Sequence, residues 1–165
     1  MPDQPARRAY IGIGANLGDA RATVAAALGA LAALPGAQFI RASSCYRSAP
    51  VNASGPDFIN AVAALDTTLA PLALLAALQA IEQAHGRQRP YPNAPRTLDL
   101  DLLLHGDALL QTRTLTLPHP RLHQRAFVLR PLLEIAPALA APGLGPLARW
   151  LPGTADQPIE RLAPP

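Results

Sequence analysis

One short stretch constrains the fold of this chain more than any other. Leucine and aspartate alternate at the start of LDLDLLLH, residues 98–105, and an apolar run follows. Alternate side chains of a strand point to opposite faces, so the leucines would enter a core while Asp99 and Asp101 share the other face. The apolar run indicates burial on both faces at that end. The stretch therefore predicts a strand with one apolar and one acidic face.

The segments around this strand predict an α+β fold. Further strands are predicted at residues 9–14, 38–46 and 58–65, with a short one near 115–117. Helices are predicted at 20–34, capped by Asp19, at 71–85, begun by Pro71, and at about 125–135. The order β-α-β-β-α-β is typical of a ferredoxin-like antiparallel sheet with helices on one face. The proline-rich residues after 137 are expected to be irregular.

Length and composition bound the class of protein. A chain of 165 residues favours a single domain over residues 1–165, with a core of about 9–139 and a tail of 140–165. No apolar run is long enough to cross a bilayer and no signal sequence opens the chain, so we expect a cytoplasmic protein. The single cysteine, Cys45, excludes an internal disulfide and is expected to be a buried structural thiol.

The charge pattern favours a small anionic ligand. The net charge is +3, all fourteen basic residues are arginines, and they form no dense basic run. Arginine binds phosphate oxygens through two parallel hydrogen bonds. Arg87, Arg89 and Arg96 lie in or beside a polar loop that could close over a nucleotide, although scattered arginines are more often simply solvated. No nucleic-acid partner is expected.

The acidic face is the strongest chemical signal. Two carboxylates on one strand face repel each other unless a cation lies between them. Their oxygens suit magnesium, which completes its coordination with water and substrate phosphates. The alternative is that Asp99 and Asp101 lie on the solvent face of an amphipathic strand, because so short a motif occurs freely by chance. Arg96, three residues before Asp99, favours the metal interpretation because it brings a cation to the same place.

Two further segments carry weaker signals. PHPRLHQRAF, residues 118–127, adds His119 and Arg125 as candidate hydrogen-bond donors to phosphate. A histidine between prolines is, however, more often a surface residue of a turn. Phe58 and Asn60 are two residues apart and share a strand face. An aromatic ring and an amide could bind a flat heterocycle, but a core phenylalanine and an edge asparagine explain the pair equally well.

Taken together, these segments resemble the 6-hydroxymethyl-7,8-dihydropterin pyrophosphokinase family. The similarity covers about residues 9–139, and its motifs occur in the family's order. They are YIGIGANLGD, SSCYRSAP, FINAVAAL, IEQAHGR, PRTLDLDLLLHG and LPHPRLHQRAFVLRPLLEIAP. PRTLDLDLLLHG followed by PHPRLHQRAF is highly specific, whereas the first motif alone is weak.

The resemblance implies an enzyme that transfers pyrophosphate from ATP to the hydroxymethyl group of the pterin and releases AMP, in folate biosynthesis. It implies that Asp99 and Asp101 bind two magnesium ions and that Arg87, Arg96, His119 and Arg125 hold the triphosphate. All six residues are implied to be catalytic. The implied nucleotide site also contains Gln79, Glu82, Arg89, Leu102 and Thr116. The implied pterin site contains Ser48, Pro50, Val51, Phe58, Asn60 and Phe127. A monomer is expected.

The chain departs from the family's pattern at three places. Tyr91, Pro92 and Asn93 stand where some members carry a tryptophan, and Tyr91 is the substitute that this loop offers for stacking on the pterin. Ala94 stands where glycine is common, and Pro120 where some members have tyrosine. None of these changes alters the carboxylates or the main arginines, so an active enzyme is expected.

Rival classes share parts of the pattern. An RNA-binding ferredoxin-like module would present aromatic residues and a basic sheet face. This chain has only seven aromatic residues and places two acids on what we predict to be a central strand. A relative without catalysis, acting as a scaffold, is the other rival, and the retained acids and arginines argue against it. A P-loop kinase is excluded because the chain has no GxxxxGK[ST] motif and no lysine.

Overall fold

The computed structural model describes residues 5–50, 55–85 and 98–164. Val51, Arg87, Arg89 and Arg96, with the loop substitutions from Tyr91 to Ala94, lie outside the described residues. The strands are β1 Arg7–Ala15, β2 Ala37–Ala42, β3 Tyr46–Ser48, β4 Phe58–Thr67, β5 Asp99–His105, β6 Leu110–Gln111, β7 Thr116–Leu117, β8 Ala140–Ala141, β9 Gly145–Pro146 and β10 Ile159–Arg161. The helices are α1 Ala20–Ala32, α2 Pro71–Ala84 and α3 Ala126–Ile135, with 3-10 segments at Leu122–Gln124 and Leu147–Thr154.

The helix starts follow the sequence signals. The Asp19 side chain accepts a hydrogen bond from the backbone N–H of Ala22 at 3.1 Å, which caps α1 as predicted. Pro71 opens α2, where its missing N–H costs no helical hydrogen bond. The two helices therefore begin where their local chemistry places them.

The main sheet is antiparallel and has the predicted ferredoxin-like arrangement. Its strand order is β10-β3-β4-β1-β5, and β2 also pairs with β4. Strand β5 therefore lies at an edge of the described sheet, and its predicted central position is wrong. Groups outside the sheet form hydrogen bonds with backbone groups of this strand. The Leu100 N–H donates to the carboxylate of Glu82 at 2.8 Å, and the His119 N–H donates to the carbonyl of Leu103 at 2.9 Å.

Helices cover both faces of the sheet, whereas the sequence predicted helices on one face only. Helices α1 and α2 pack on the face that carries Ile11, Ala63 and Leu100. Helix α3 and the 3-10 segment Leu147–Thr154 pack on the other face, against Val62 and other residues of the same strands. The alternating pattern of β1, β4 and β5 thus divides between two cores.

The predicted strand at 38–46 is divided into β2 and β3. Ser43 interrupts the ladder, because its hydroxyl oxygen accepts the Val62 N–H at 2.9 Å in place of a backbone carbonyl. The next N–H, that of Ser44, turns to the carboxylate of Glu134 on α3. Polar side chains thus break a strand that hydropathy alone reads as continuous, and Tyr46–Ser48 continues as strand into the predicted loop.

The prediction that the tail is irregular is wrong. Strand β10 pairs antiparallel with β3, placing Ile159 opposite Ser48 and Arg161 opposite Tyr46. Leu147, in the 3-10 segment, is fully buried in the second core. A three-residue strand has no periodicity to reveal it, and it forms because β3 offers an unpaired edge.

Cys45 is half-buried rather than buried. Burial raises the pKa of its thiol, and the charge of Arg21 opposes that rise. The thiol form is therefore favoured, in line with a structural role. Among the helices of the described ranges, none has the length and apolar character needed to span a membrane.

Candidate active site

The strand register assembles a polar surface on the α3 face of the sheet. Gly14 of β1 lies opposite Asp99 on one side and Asn60 on the other. One pleat further, Gly12 lies opposite Asp101 and Val62. Two rows across three strands therefore bring the carboxylates of β5 beside the amide of β4, although these residues are about forty positions apart in sequence.

The two glycines form the floor between these side chains. A Cβ atom at Gly14 would lie 3.3 Å from the Asn60 Nδ2 and 3.9 Å from the Phe58 ring. A Cβ at Gly12 would lie 3.5 Å from Leu103. The glycines leave open a space that a side chain would fill. The sequence signal for this open space is the IGIG of β1, in which the isoleucines face one core and the alternate positions carry no side chain.

A cavity of about 610 Å³ opens over this floor. It brings together seven residues that are separated in sequence and that sequence reasoning had assigned to the metal, ATP or pterin. They are Ser48, Phe58, Asn60, Asp99, Asp101, Arg125 and Phe127. A smaller neighbouring cavity of about 210 Å³ contains the predicted Pro50, with Ser48 and Phe127 shared between the two.

Besides the glycines, seven cavity residues were missed by the sequence reasoning, among them Ile13, Ala61 and Val128 of the surrounding strands and helix. Arg121 and Gln124 lie in or beside the 3-10 segment before α3, Ala49 follows β3, and Gln157 comes from the tail. Arg121 and Gln124 stand within the PHPRLHQRAF motif and could have been proposed from it. Gln157 had no signal, because only the pairing of β10 with β3 brings the tail here.

Asn60 is held in a fixed orientation. It is 5% exposed, and its Oδ1 accepts a hydrogen bond of 2.6 Å from the hydroxyl of Ser48, which is itself buried. With the oxygen engaged, the Nδ2 lies on the side of Gly14. The amide N–H groups therefore remain available as donors to a ligand in the cavity.

Arg125 and Phe127 cover the cavity from the start of α3. The guanidinium carbon lies 5.4 Å from the centre of the Phe127 ring, in cation–π range. Burial lowers the pKa of Arg125, and the charge of Asp101 opposes that shift. Arginine remains charged at neutral pH, so a cation faces the carboxylates across the cavity.

His119 is fixed beside β5 by its backbone and by its ring. Its N–H bonds the Leu103 carbonyl, and its Nδ1 lies 3.2 Å from the backbone N–H of Arg121. An N–H can only donate, so Nδ1 is the acceptor and the neutral ring carries its proton on Nε2. Burial lowers the pKa of His119 and outweighs the opposing charge of Asp101, which favours this neutral form.

The remaining nucleotide candidates among the described residues do not line the cavity. Glu82 is 4% exposed and accepts the Leu100 N–H, while Gln79 is exposed one turn earlier on α2. Thr116 is half-buried on β7. Leu102 is 2% exposed in the first core, so only its backbone could contact a ligand.

The donor set around the carboxylates fits magnesium. Within residues 5–50, 55–85 and 98–164, no three His, Cys, Asp or Glu residues group as a metal site. Among these described residues, Asp99 and Asp101 therefore offer hard oxygen ligands without a complete protein cage. Magnesium is commonly bound in this way, by one or two carboxylates with water and substrate phosphates.

Comparison with known proteins identifies the family. The family model described as 7,8-dihydro-6-hydroxymethylpterin-pyrophosphokinase matches residues 10–137. The chain belongs to this pyrophosphokinase family. It is therefore an enzyme that transfers pyrophosphate from ATP to hydroxymethyldihydropterin, in folate biosynthesis.

Relatives of the pyrophosphokinase family match almost the whole chain. The 2-amino-4-hydroxy-6-hydroxymethyldihydropteridine pyrophosphokinase of Pseudomonas aeruginosa is 46% identical over 157 residues, covering 94% of this chain and 97% of that protein. The enzyme of the same name from Haemophilus influenzae is 41% identical, covering 94% and 98%. The similarity thus extends beyond residue 137, where the family model ends.

Solved structures of larger proteins share the pyrophosphokinase fold. The HPPK-DHPS protein in complex with substrates aligns with a TM-score of 0.68 at 14% identity, over 88% of this chain and 42% of that one. A Plasmodium falciparum HPPK-DHPS triple mutant aligns with a TM-score of 0.73 at 11% identity, over 91% and 43%. The chain spans less than half of these proteins, and at such identity the likeness shows the fold alone.

Proposed function

We propose that pyrophosphate transfer takes place in the cavity between β5 and the start of α3. The observation that carries this proposal is that Asp99, Asp101, Asn60 and Arg125 line one cavity, although they come from different elements. In this proposal Asp99 and Asp101 would hold two magnesium ions beside the ATP phosphates. When bound, the metal neutralises the phosphate charge and polarises the reacting phosphoryl group.

The pterin would lie between Phe58 and Phe127, over the glycine floor. Two aromatic rings and a floor without side chains suit a flat heterocycle. The Asn60 amide would donate to an acceptor on the ring, since Ser48 already occupies its oxygen. Backbone groups around Ser48, Pro50 and Val51 would contact the pterin edge.

ATP would lie across β5, with its triphosphate at the carboxylates. Arg87, Arg89, Arg96 and Arg125 would bind phosphate oxygens. His119 would donate from its Nε2–H, and its fixed tautomer supports that role. Glu82, Gln79, Thr116 and the backbone of Leu102 would form the remainder of the nucleotide site along the outer edge of the strand.

The reaction joins the hydroxymethyl oxygen to the β-phosphorus of ATP. The bond from that phosphorus to the bridging oxygen of the α-phosphate breaks, AMP leaves with the electron pair, and the proton of the attacking hydroxyl passes to solvent. Such transfers depend on in-line positioning and on charge neutralisation more than on covalent catalysis. The cations of the site would supply the neutralisation, and the aromatic pair with Asn60 would aim the hydroxyl.

We further propose one domain over residues 1–165, a monomer and a cytoplasmic location. Contacts of the tail with α3 and β3 support a single unit. The absence of a bilayer-spanning helix among the described residues is compatible with that location.

The direct experiment measures AMP release from ATP and magnesium, with and without 6-hydroxymethyl-7,8-dihydropterin. We expect release only when the pterin is present. A 6-methyl analogue, which lacks the attacking oxygen, should bind and yield no AMP. Pterin-independent release, or equal release with the analogue, would contradict the proposed reaction.

A further inference from the structure

Gln157, from the tail, holds the backbone on both sides of Arg125. Its Oε1 accepts the Ala126 N–H at 2.8 Å, and its Nε2 donates to the Gln124 carbonyl at 2.8 Å. One side-chain amide therefore binds the residue before the arginine and the residue after it. The contact joins positions more than thirty residues apart, so it belongs to the tertiary structure rather than to a local turn.

Arg125 is at a position that needs such support. It is the N-cap residue of α3, with an extended backbone at φ −123° and ψ 117°, and its own side chain makes no capping hydrogen bond. The first N–H groups of a helix have no intrahelical acceptor. Gln157, which lies outside the helix, supplies an acceptor for the Ala126 N–H. The Arg125 side chain is therefore not needed as a cap and can face the cavity.

Gln157 is itself held in place by the surrounding tail. Its N–H donates to the Thr154 carbonyl at 3.0 Å, and β10 begins two residues later. Arg161 of β10 contacts the Glu134 carboxylate on α3 at 3.3 Å and the Ser44 hydroxyl at 3.1 Å. The amide therefore has a fixed base, and it lines the same cavity as Arg125.

We propose that Gln157 is a positioning residue, which acts by fixing the backbone of Arg125 so that the guanidinium is aimed at the phosphates. This inference rests on the proposed function, because it takes Arg125 to be a phosphate ligand. A preorganised arginine loses less freedom when it binds, and a misplacement of about 1 Å is enough to reduce turnover strongly.

A double-mutant cycle tests the proposal. Gln157→Met preserves the length of the side chain and removes both hydrogen bonds, while Gln157→Ala also removes its bulk. We expect each to lower kcat/KM by about 10- to 100-fold in the wild-type background. In an Arg125→Ala background the same changes should cost less than about twofold, because the group they position is gone.

Gln157→Glu refines the cycle, because it retains the acceptor for Ala126 and loses the donor to Gln124. Its loss of kcat/KM should fall between wild type and Gln157→Met. Glu160→Ala is the matched control in the same tail, since its exposed contact with Arg47 at 3.7 Å lies outside the site. It should retain wild-type kinetics.

The possible failures are distinguishable. An equal loss from Gln157→Met in both backgrounds, with Arg125→Ala itself impaired, would overturn the positioning role and leave the proposed function intact. Wild-type activity in Arg125→Ala would instead refute the assigned role of that arginine, and the inference with it. Thermal unfolding of each variant separates these outcomes from a loss of folded protein, which would lower activity in both backgrounds alike.

Discussion

The two faces of the central sheet use the same strands for different purposes. On the face covered by α1 and α2, strands β1, β4 and β5 present closely packed apolar residues such as Ile11, Ala63 and Leu100. On the other face, the neighbouring positions are glycines, Asn60 and two aspartates around a cavity. Around the cavity, adjacent residues of one strand thus belong either to the first core or to the site, while Val62 and Leu103 of the same strands pack into the second core.

The difference shows how the molecule can hold an open polar site without losing its fold. A polar cavity buries little apolar surface, and two like charges oppose folding. The opposite face supplies burial from the same backbone, so strand pairing does not depend on the site residues. Substitutions on the two faces should therefore separate activity from stability.

The largest effect is expected from Asp101→Ala or Asp99→Ala. Removal of a group that stabilises transition-state charge typically lowers kcat by about 10²- to 10³-fold. Stability should change much less than in a core truncation, because neither side chain belongs to the two apolar cores. AMP release and thermal unfolding measure the two quantities. Asp107→Ala, an exposed acid in the turn after β5, is the control and should behave as wild type.

Near-normal magnesium-dependent turnover in either variant would refute the metal assignment. A large fall in melting temperature would instead refute the division between the faces, because the acids would then be structural.

Ile11→Ala tests the opposite face. Ile11 is fully buried between Ala63 and Leu102 on the neighbouring strands, and truncation of such a residue typically costs about 2–5 kcal/mol of unfolding free energy. Activity per folded molecule should change little. Denaturant unfolding combined with active-site titration checks both statements. Ile11→Val should show a smaller loss, of about 0.5–1.5 kcal/mol.

If Ile11→Ala reduced turnover of the folded fraction as strongly as the aspartate variants, the two faces would not be separable. The site would then depend on the exact packing beneath it.

Asn60→Ala should weaken pterin binding while leaving ATP binding within about twofold. A buried hydrogen bond lost from a ligand site costs about 1–3 kcal/mol, equivalent to roughly 5- to 150-fold in affinity. Calorimetry with each ligand alone gives the comparison. Gly14→Ala should act in the same direction, because its new Cβ would lie 3.3 Å from the Asn60 Nδ2.

Equal losses for the two ligands would indicate that Asn60 is structural. Its hydrogen bond with Ser48 makes that outcome testable, because Ser48→Ala would then reproduce it.

Sequence reasoning succeeded where the chemistry is local. The alternation of residues 98–102 placed both aspartates on one face, and Asp19 and Pro71 marked two helix starts. Sequence reasoning failed where a contact with a residue distant in sequence determines the local structure. The Ser43 hydroxyl divides a strand by bonding Val62, and β10 forms because β3 has an unpaired edge. The position of Gln157 at the cavity depends on that pairing, and the sequence around Gln157 does not indicate it.

The smallest effect, on the free energy of unfolding, is expected when the polar contacts between α3 and β3 are removed. Burial acts to raise the pKa of Glu134, but hydrogen bonds from Tyr46 and Ser44 and the charge of Arg161 outweigh it and hold the pKa below its ordinary value of 4.5. Burial, and then the bond to Glu134, raise the pKa of Tyr46 to about 12. Both shifts preserve the contact of an ionised Glu134 with a neutral Tyr46 at neutral pH.

The sign of the pH dependence follows from the Glu134 shift. A carboxyl group whose pKa is lower in the folded state stabilises the protein above its unfolded pKa, and that stabilisation is lost as pH falls from about 4.5 through the folded pKa. Glu134→Gln should therefore cost about 1 kcal/mol at pH 7 and have a flatter stability profile below pH 4.5 than wild type. Denaturant unfolding at a series of pH values measures it. Parallel acid profiles for wild type and variant would show that other carboxylates govern acid unfolding, while Tyr46→Phe should reproduce part of the flattening if this contact is responsible.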